Sequence, residues 1–282
     1  MFGPTASGKT AVAEQVARSL GGAVVSADSM QAYRGVPIIT AQPERPTALV
    51  AIWPLSHEGS IGEYAELAHV EIDRLLAEGR VPVVAGGTGL YFRAALAELD
   101  IPPSAPPEAR ERWEAAYDAD PAAVYTELAD RDPEAAAVVH ANDRRRVVRA
   151  LELTDAGFSL RRGESRLWSK QTRHPTRIFG LDVPADVLEA RIADRARAMV
   201  AAGAVREARR ALAGEISTTA RQMLGLQELA ERGNEALDAL IVGTRQFAAY
   251  QRKWMRRISG IELIDGDRPP DLVAKEIAAR LA

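Results

Sequence analysis

The sequence predicts an α/β protein: a P-loop NTPase-like parallel sheet flanked by helices, with an inserted all-helical subdomain. Three observations predict it. Short runs of small and branched apolar residues alternate with amphipathic stretches, the pattern of parallel strands joined by crossover helices. A glycine-rich loop of the form G-x-x-x-x-G-K-[ST], from Gly3 to Thr10, leads directly into the first helical stretch. Between roughly Ser104 and Arg173 the strand signal vanishes and helical periodicity replaces it. The expected division is a core of residues 1–103 and 174–282 and a helical insert of residues 104–173.

Each element has its own signal. From Thr10 to Leu20, Val12, Ala13, Val16, Ala17 and Leu20 recur at helical spacing, and Gly21-Gly22 ends the pattern as a C-terminal cap does. Ala23 to Ala27 is a small-and-branched run of the kind buried on both faces of a parallel sheet, with Asp28 at its carboxyl end. Ile61 to Glu78 places Tyr64, Leu67, Ala68, Ile72, Leu75 and Leu76 on one helical face. The strand Val81 to Ala85 follows, then the turn Gly86-Gly87-Thr88-Gly89. The proline-rich stretch from Ile101 to Pro107 opens the insert, and Thr176 to Val183 and Ile261 to Ile264 read as two further strands.

Composition narrows the function classes. The chain has 282 residues, of which 47 % are hydrophobic and 27 % charged, an ordinary globular balance. It has no cysteine, which excludes disulfide scaffolds, thiolate metal sites and cysteine nucleophiles and fits a reducing compartment, so a cytoplasmic location is expected. His57, His69, His140 and His174 lack ligand spacing, and no apolar run approaches the roughly 18 residues a membrane span needs. No membrane partner is expected. The net charge of -3 hides strong local asymmetry. Residues 105–139 carry 3 basic and 9 acidic side chains, residues 140–175 carry 9 basic and 4 acidic, and residues 244–260 hold five basic residues and no acid. Any polyanion must therefore be met locally, and its binding should be salt-dependent.

The loop Gly3-Pro4-Thr5-Ala6-Ser7-Gly8-Lys9-Thr10 carries the clearest chemistry. Its glycines let backbone N–H groups turn inward around phosphate oxygens, and the helix that follows adds the partial positive charge of its N-terminus. Lys9 would neutralise terminal phosphates, and Thr10 would offer a hydroxyl to Mg²⁺ or to phosphate. Such a loop serves many phosphoryl-transfer enzymes, so it does not by itself choose a reaction.

The other motifs choose. Asp28-Ser29-Met30-Gln31-Ala32-Tyr33-Arg34-Gly35 follows the second element, and Gly86-Gly87-Thr88-Gly89-Leu90-Tyr91 follows the next strand. Asn142 to Glu152, Gln222-Met223-Leu224-Gly225, and Thr244-Arg245-Gln246 with Gln251 and Trp254 come after them in order. Together with the phosphate loop, these stretches resemble the bacterial tRNA dimethylallyltransferases, also called tRNA isopentenyltransferases, over most of the chain.

The resemblance implies transfer of a dimethylallyl group from dimethylallyl diphosphate to the N6 amine of the adenosine just 3′ of the anticodon, in tRNAs reading codons that begin with U. The partners it implies are the tRNA anticodon stem-loop and dimethylallyl diphosphate, the cofactor is Mg²⁺ held at Thr10, and a monomer is expected. Because diphosphate is the leaving group, the loop from Gly3 to Thr10 would hold it, with Lys9 and Arg245 stabilising its charge. Asp28 would be the general base for the weakly nucleophilic amine, and Thr10 would orient phosphate or base. The adenosine must leave its stack to be reached. Asp28, Ser29, Met30, Gln31 and Thr88 are expected near it, Arg110, Arg145, Arg146 and Arg149 along the tRNA backbone, and Gln222 at a further tRNA contact.

The sequence departs from the family pattern at Leu226, where an aromatic is usual, at Ala249-Tyr250, where a basic pair is usual, and from Ile39 to Pro43. These departures bear on tRNA affinity more than on chemistry. Trp113, Trp168 and Trp254 read as packing residues. Two alternatives stand beside this reading: a P-loop small-molecule or nucleoside kinase, in which the insert would be a lid, and a non-catalytic RNA-binding protein. Finally, a phosphate loop ordinarily follows a hydrophobic central strand, yet only Met1 and Phe2 precede this one. Further apolar residues upstream are the expectation.

Overall fold

The computed structural model describes residues 1–99, 101, 106–160, 167 and 169–281. They divide into two compact units, 1–98 with 167–282 and 99–166. Trp168 and the arginines at 161, 162 and 166, which the sequence counts within its basic segment, lie outside the described residues.

In the first unit α1 (Lys9–Ser19) runs from the phosphate loop to the parallel pair β1 (Ala23–Ser26) and β2 (Pro82–Ala85). Between these strands lies α2 (Ile61–Ala77), and after β2 comes α3 (Gly89–Leu96). A second parallel pair joins β3 (Ile178–Asp182) to β4 (Ile261–Asp265), with Ile178 opposite Ile261 and Asp182 opposite Asp265. Phe2 bridges to Gly86 and to Gly180, so it sits between the two pairs and gives one parallel order, β1-β2-Phe2-β3-β4. Its amide donates to Phe179 O at 2.8 Å, and the Leu181 amide donates back to Phe2 O at 2.9 Å.

Helices cover this layer because the strands present apolar residues on both faces. Val12, Ala13, Val16 and Ala17 of α1 meet Val273, Ala274 and Ile277 of α12 (Pro270–Leu281) over Val83, Phe179, Leu181 and Ile264. Across the layer, Phe2 is edge-on to Phe92 of α3 at 5.3 Å, and Tyr64 of α2 packs on Tyr91 at 4.5 Å. The Tyr64 hydroxyl donates to Ser26 O at 2.8 Å, which satisfies it in the interior. Ser60 caps α2 by accepting from the Glu63 amide at 3.2 Å. Further helices α8 (Ala185–Ala201), α9 (Ala204–Ala213), α10 (Leu226–Arg232) and α11 (Leu237–Met255) complete the unit. Leu188 and Ile192 of α8 pack with Ala248 of α11.

The second unit contains α4 (Pro107–Ala119), α5 (Pro121–Arg131), α6 (Pro133–Ala136) and α7 (Arg144–Asp155), and no strand among its described residues. A proline opens each of the first three helices, where its missing N–H costs nothing. Asp120, Asp132 and Asp143 cap the starts of α5, α6 and α7 through their side chains. Tyr117, Val124, Leu128, Val147, Val148 and Leu151 form its core.

The contact division differs from the sequence division at both ends of the insert. Residues 167–173 belong with the first unit because its side chains hold them. Buried Arg93 of α3 donates to Leu167 O at 2.9 Å and to Gln171 O at 3.2 Å. The Arg173 guanidinium then grips Asp73 of α2 with both nitrogens, at 3.2 and 2.9 Å, and His174 adds a contact to the same carboxylate at 2.7 Å.

Candidate active site

The phosphate loop closes on itself before α1 starts. The Ser7 amide donates to Pro4 O at 3.3 Å, and Ala6 and Gly8 adopt left-handed backbone conformations at φ 61 and 81. Gly8 is the residue before the helix, so the turn delivers Lys9 and Thr10 at the helix N-terminus with its positive end facing the same space. The Ser7 hydroxyl is buried there, 2 % exposed for the residue, and has no hydrogen-bond partner.

A cleft of about 370 Å³ opens on this helix start, lined by Ala6, Gly8, Lys9, Thr10, Ala11, Arg191 and Arg195. Of the loop residues read from sequence, Ala6, Gly8, Lys9 and Thr10 line it, while Gly3, Pro4, Thr5 and Ser7 are not part of that lining. Thr5 serves its neighbours instead. Its hydroxyl accepts from Arg195 Nη1 at 2.9 Å, and its amide donates to Gln251 Oε1 at 2.7 Å.

Arg191 and Arg195 also line the cleft, and motif reading did not single them out. They stand one turn apart on α8, so both side chains project from one helix face. Burial lowers the pKa of Arg195, with Asp28 opposing that shift. An arginine keeps its charge in such a place. Burial likewise lowers the pKa of Lys9 to about 8, Asp28 opposing and Arg195 reinforcing. Two cations and one carboxylate thus share a single electrostatic environment. The available signal was the repeat of arginines at 191 and 195 in a helix that follows a strand end, but six arginines between 191 and 210 obscure it.

Asp28 lies just past the carboxyl end of β1, half-buried, and its Oδ1 accepts from the Met30 amide at 3.0 Å. This turn fixes the carboxylate where open parallel sheets receive their ligands. Gln31, which the resemblance places near the adenosine, is hydrogen-bonded within its own unit. Its Oε1 accepts from Ser26 Oγ at 2.9 Å, and its Nε2 donates to Thr40 O at 3.4 Å and Ala41 O at 3.0 Å. Gln31 therefore ties the Asp28 turn to the 36–42 loop. Buried Glu207 of α9 secures that loop from behind, accepting from the Ile38 amide at 3.2 Å and the Ile39 amide at 2.7 Å. Thr88 precedes α3 as its N-terminal cap residue and is half-buried.

Other sequence candidates lie apart from the cleft lining. Arg245 of α11 is exposed and faces Glu189 of α8 at 3.6 Å. Gln222 is exposed in a short turn, 220–222, and Leu226 is fully buried at the start of α10, so this position packs. Trp254 packs against Gly89, whereas Trp113 donates to Asp155 at 2.6 Å beneath the guanidinium groups of Arg112 and Arg131.

Within the helical unit, the basic segment divides by environment. Arg145 and Arg146 of α7 are exposed. Arg110 and Arg149 instead converge on one buried carboxylate, Glu152, at 2.8 and 3.0 Å.

Among the described residues no three His, Cys, Asp or Glu side chains gather to hold a metal. Thr10 offers one hard oxygen donor at the cleft. That suits Mg²⁺, which prefers substrate phosphate oxygens and water to a protein cage.

A phosphate loop that follows the central Phe2 position of the sheet, two cations at a helix start and a carboxylate past a strand end are the parts of an enzyme site suited to a phosphorylated ligand. The comparisons with known proteins specify which. The family described as IPP transferase matches residues 31–258, and the one described as isopentenyl transferase matches residues 1–47. The chain belongs to the IPP transferase family. It is 40 % identical to a tRNA dimethylallyltransferase of Anaeromyxobacter dehalogenans, over 99 % of this chain and 98 % of that protein. It is 38 % identical to the enzyme of the same name from Corynebacterium jeikeium, over 95 % and 91 %. Among solved structures, the full-length tRNA isopentenylpyrophosphate transferase of Bacillus halodurans superposes with a TM-score of 0.69 at 30 % identity, covering 99 % of this chain and 93 % of that one.

Proposed function

We propose that this enzyme transfers the dimethylallyl group of dimethylallyl diphosphate to the N6 amine of the adenosine 3′-adjacent to the anticodon of tRNAs that read codons beginning with U. The observation that carries the reading is the shared environment of Lys9, Arg195 and Asp28 beside a phosphate loop, in a chain of this family. The core is read as P-loop NTPase-like, since the loop leads from the Phe2 position of a parallel layer straight into α1.

The chemistry balances on these groups. The N6 lone pair attacks C1 of the dimethylallyl group, the C1–O bond breaks, and diphosphate leaves with the bonding pair. The loop amides, Lys9, Arg191 and Arg195 stabilise that leaving charge, a task suited to groups already fixed in place. Asp28 takes the proton the amine loses. The buried, unpartnered Ser7 hydroxyl supports an oxyanion in the loop, since such a group otherwise bears an uncompensated desolvation cost. When bound, Mg²⁺ would neutralise diphosphate charge, with Thr10 as its protein ligand.

The adenosine would be received near Asp28, Ser29, Met30 and Thr88, with Gln31 shaping that turn from within. Exposed Arg145 and Arg146 of the helical unit suit backbone phosphates, and exposed Gln222 is a further contact. No helix among the described residues is long and apolar enough to cross a membrane, and a tRNA substrate is met in the cytoplasm. Incubation with dimethylallyl diphosphate and unmodified tRNA, followed by nucleoside mass spectrometry, tests the reading. Prenylated adenosine is the expected product. Consumption of ATP with a phosphorylated small molecule instead would identify a kinase, which the family assignment does not favour.

A further inference from the structure

Helix α11 reaches the substrate loops through two side chains at i and i+3. Gln251 is 2 % exposed although it is a polar residue, and its Oε1 accepts from the Thr5 amide at 2.7 Å. Its amide end also presses on the turn after β2. A Cβ at Gly87 would lie 2.2 Å from Gln251 Nε2 and 2.9 Å from Gly3 O, so the turn, the side chain and the phosphate loop occupy one close-packed point. Trp254 repeats the arrangement one turn on, where a Cβ at Gly89 would lie 2.1 Å from the indole. Gly87 and Gly89 thus admit α11 side chains, whereas Gly86 lies against the Ala27 backbone.

We propose that Gln251 is a positioning residue that holds the phosphate loop in its diphosphate-binding shape by fixing the Thr5 amide to the Gly87 turn. The proposal rests on the reading of the cleft as a diphosphate subsite. Thr5 is the residue whose hydroxyl accepts from Arg195, so releasing its amide frees both the loop and the guanidinium that lines the cleft. Two hydrogen bonds on one threonine, one to α11 and one to α8, set where the cations stand. A half-buried amide deprived of its acceptor bears part of the desolvation cost, and the loop would move to relieve it.

The test uses inorganic pyrophosphate and three variants of the full chain. Gln251→Met fills the same volume without an acceptor, and Gln251→Glu keeps an acceptor oxygen at the same reach. Isothermal titration should show pyrophosphate binding weakened about 10-fold or more in Gln251→Met and within about 3-fold of wild type in Gln251→Glu, a range set by one lost half-buried hydrogen bond. In turnover, Gln251→Met should raise KM for dimethylallyl diphosphate by a similar factor and leave KM for tRNA within about 2-fold. Should Gln251→Met fail to fold, Gln251→Asn withdraws the amide by one methylene and should weaken pyrophosphate about 5-fold or more. Pyrophosphate affinity unchanged in Gln251→Met, equal losses in Met and Glu variants, or no pyrophosphate binding by wild type overturns the proposal. Wild-type protein that shows the expected order of affinities yet prenylates no tRNA retains it and removes the proposed function.

Discussion

Arg195 Nη1 donates to Thr5 Oγ1 at 2.9 Å, across 190 residues of sequence, and this contact brings a cation from α8 to the mouth of the phosphate loop. The charge of Asp28 acts on both a lysine in the loop and an arginine beside it, and burial lowers the pKa of each. Such burial is costly without a ligand and is offset when diphosphate supplies negative charge. Arg195→Ala should therefore lower kcat/KM for dimethylallyl diphosphate by about 100-fold, the equivalent of one strong charge-assisted interaction, with tRNA affinity unchanged. Steady-state kinetics at saturating tRNA measure it, and a loss confined to tRNA binding would contradict the role.

The role proposed for Asp28 separates proton transfer from substrate binding. Its carboxylate is fixed by the Met30 amide, and asparagine preserves that acceptor. Asp28→Asn should reduce kcat by about 10²- to 10⁴-fold, the usual contribution of a general base, while tRNA dissociation constants stay within a few-fold. Rapid-quench single turnover with filter binding checks both halves, and full activity in Asp28→Asn would remove the assignment.

Lys9 predicts two opposite pH trends. Folding lowers its pKa from 10.5 to about 8, so the unfolded chain holds more protons between those values. Stability of the ligand-free protein contributed by this group then rises with pH from about 8 toward 10.5, as the penalty for burying the ammonium is relieved. Diphosphate needs the ammonium, so pyrophosphate affinity should fall as pH passes about 8. Thermal unfolding of wild type and Lys9→Met, with and without pyrophosphate, isolates both trends, because the methionine variant should lack each.

Much of this was legible in the sequence, and the reasons for the rest are physical. The strands from Ala23, Pro82 and Ile178 announce themselves because buried parallel strands need apolar runs, whereas the outer strand from Ile261 leaves Leu263 exposed. The loop, Asp28 and Thr88 are local motifs, so their places at strand ends and helix starts are written in adjacent letters. Arg195 and Glu207 are not, since each acts on a segment about 170 or more residues earlier through tertiary contacts. Gln31 shows the converse. Its motif position implies a tRNA contact, yet its side chain is engaged with Ser26, Thr40 and Ala41 inside its own unit. Counting charge along the chain also misses pairing, as the basic segment of the insert demonstrates.

That segment carries the last prediction. Arg110 and Arg149 share Glu152, which is 1 % exposed, so a buried carboxylate holds two of the four arginines the resemblance assigns to tRNA. Arg145 is exposed on the same helix, and Arg146 is exposed beside Asp143. The two classes should separate experimentally. Arg145→Ala should reduce the slope of log affinity against log salt by about 0.7 to 0.9, one phosphate contact, and leave the unfolding midpoint unchanged. Arg149→Ala strips a charged partner from buried Glu152 and should destabilise the helical unit by about 1.5 to 3 kcal/mol, discounted toward the lower figure because Arg110 remains. Glu152→Gln should destabilise as well while removing one negative charge from beside Arg110 and Arg149, so its salt slope should steepen rather than fall. Salt titrations of tRNA binding alongside calorimetric unfolding distinguish the cases. An Arg149→Ala protein with wild-type stability and a reduced slope would return this arginine to the phosphate-contacting class, leaving Glu152 with Arg110 as its partner.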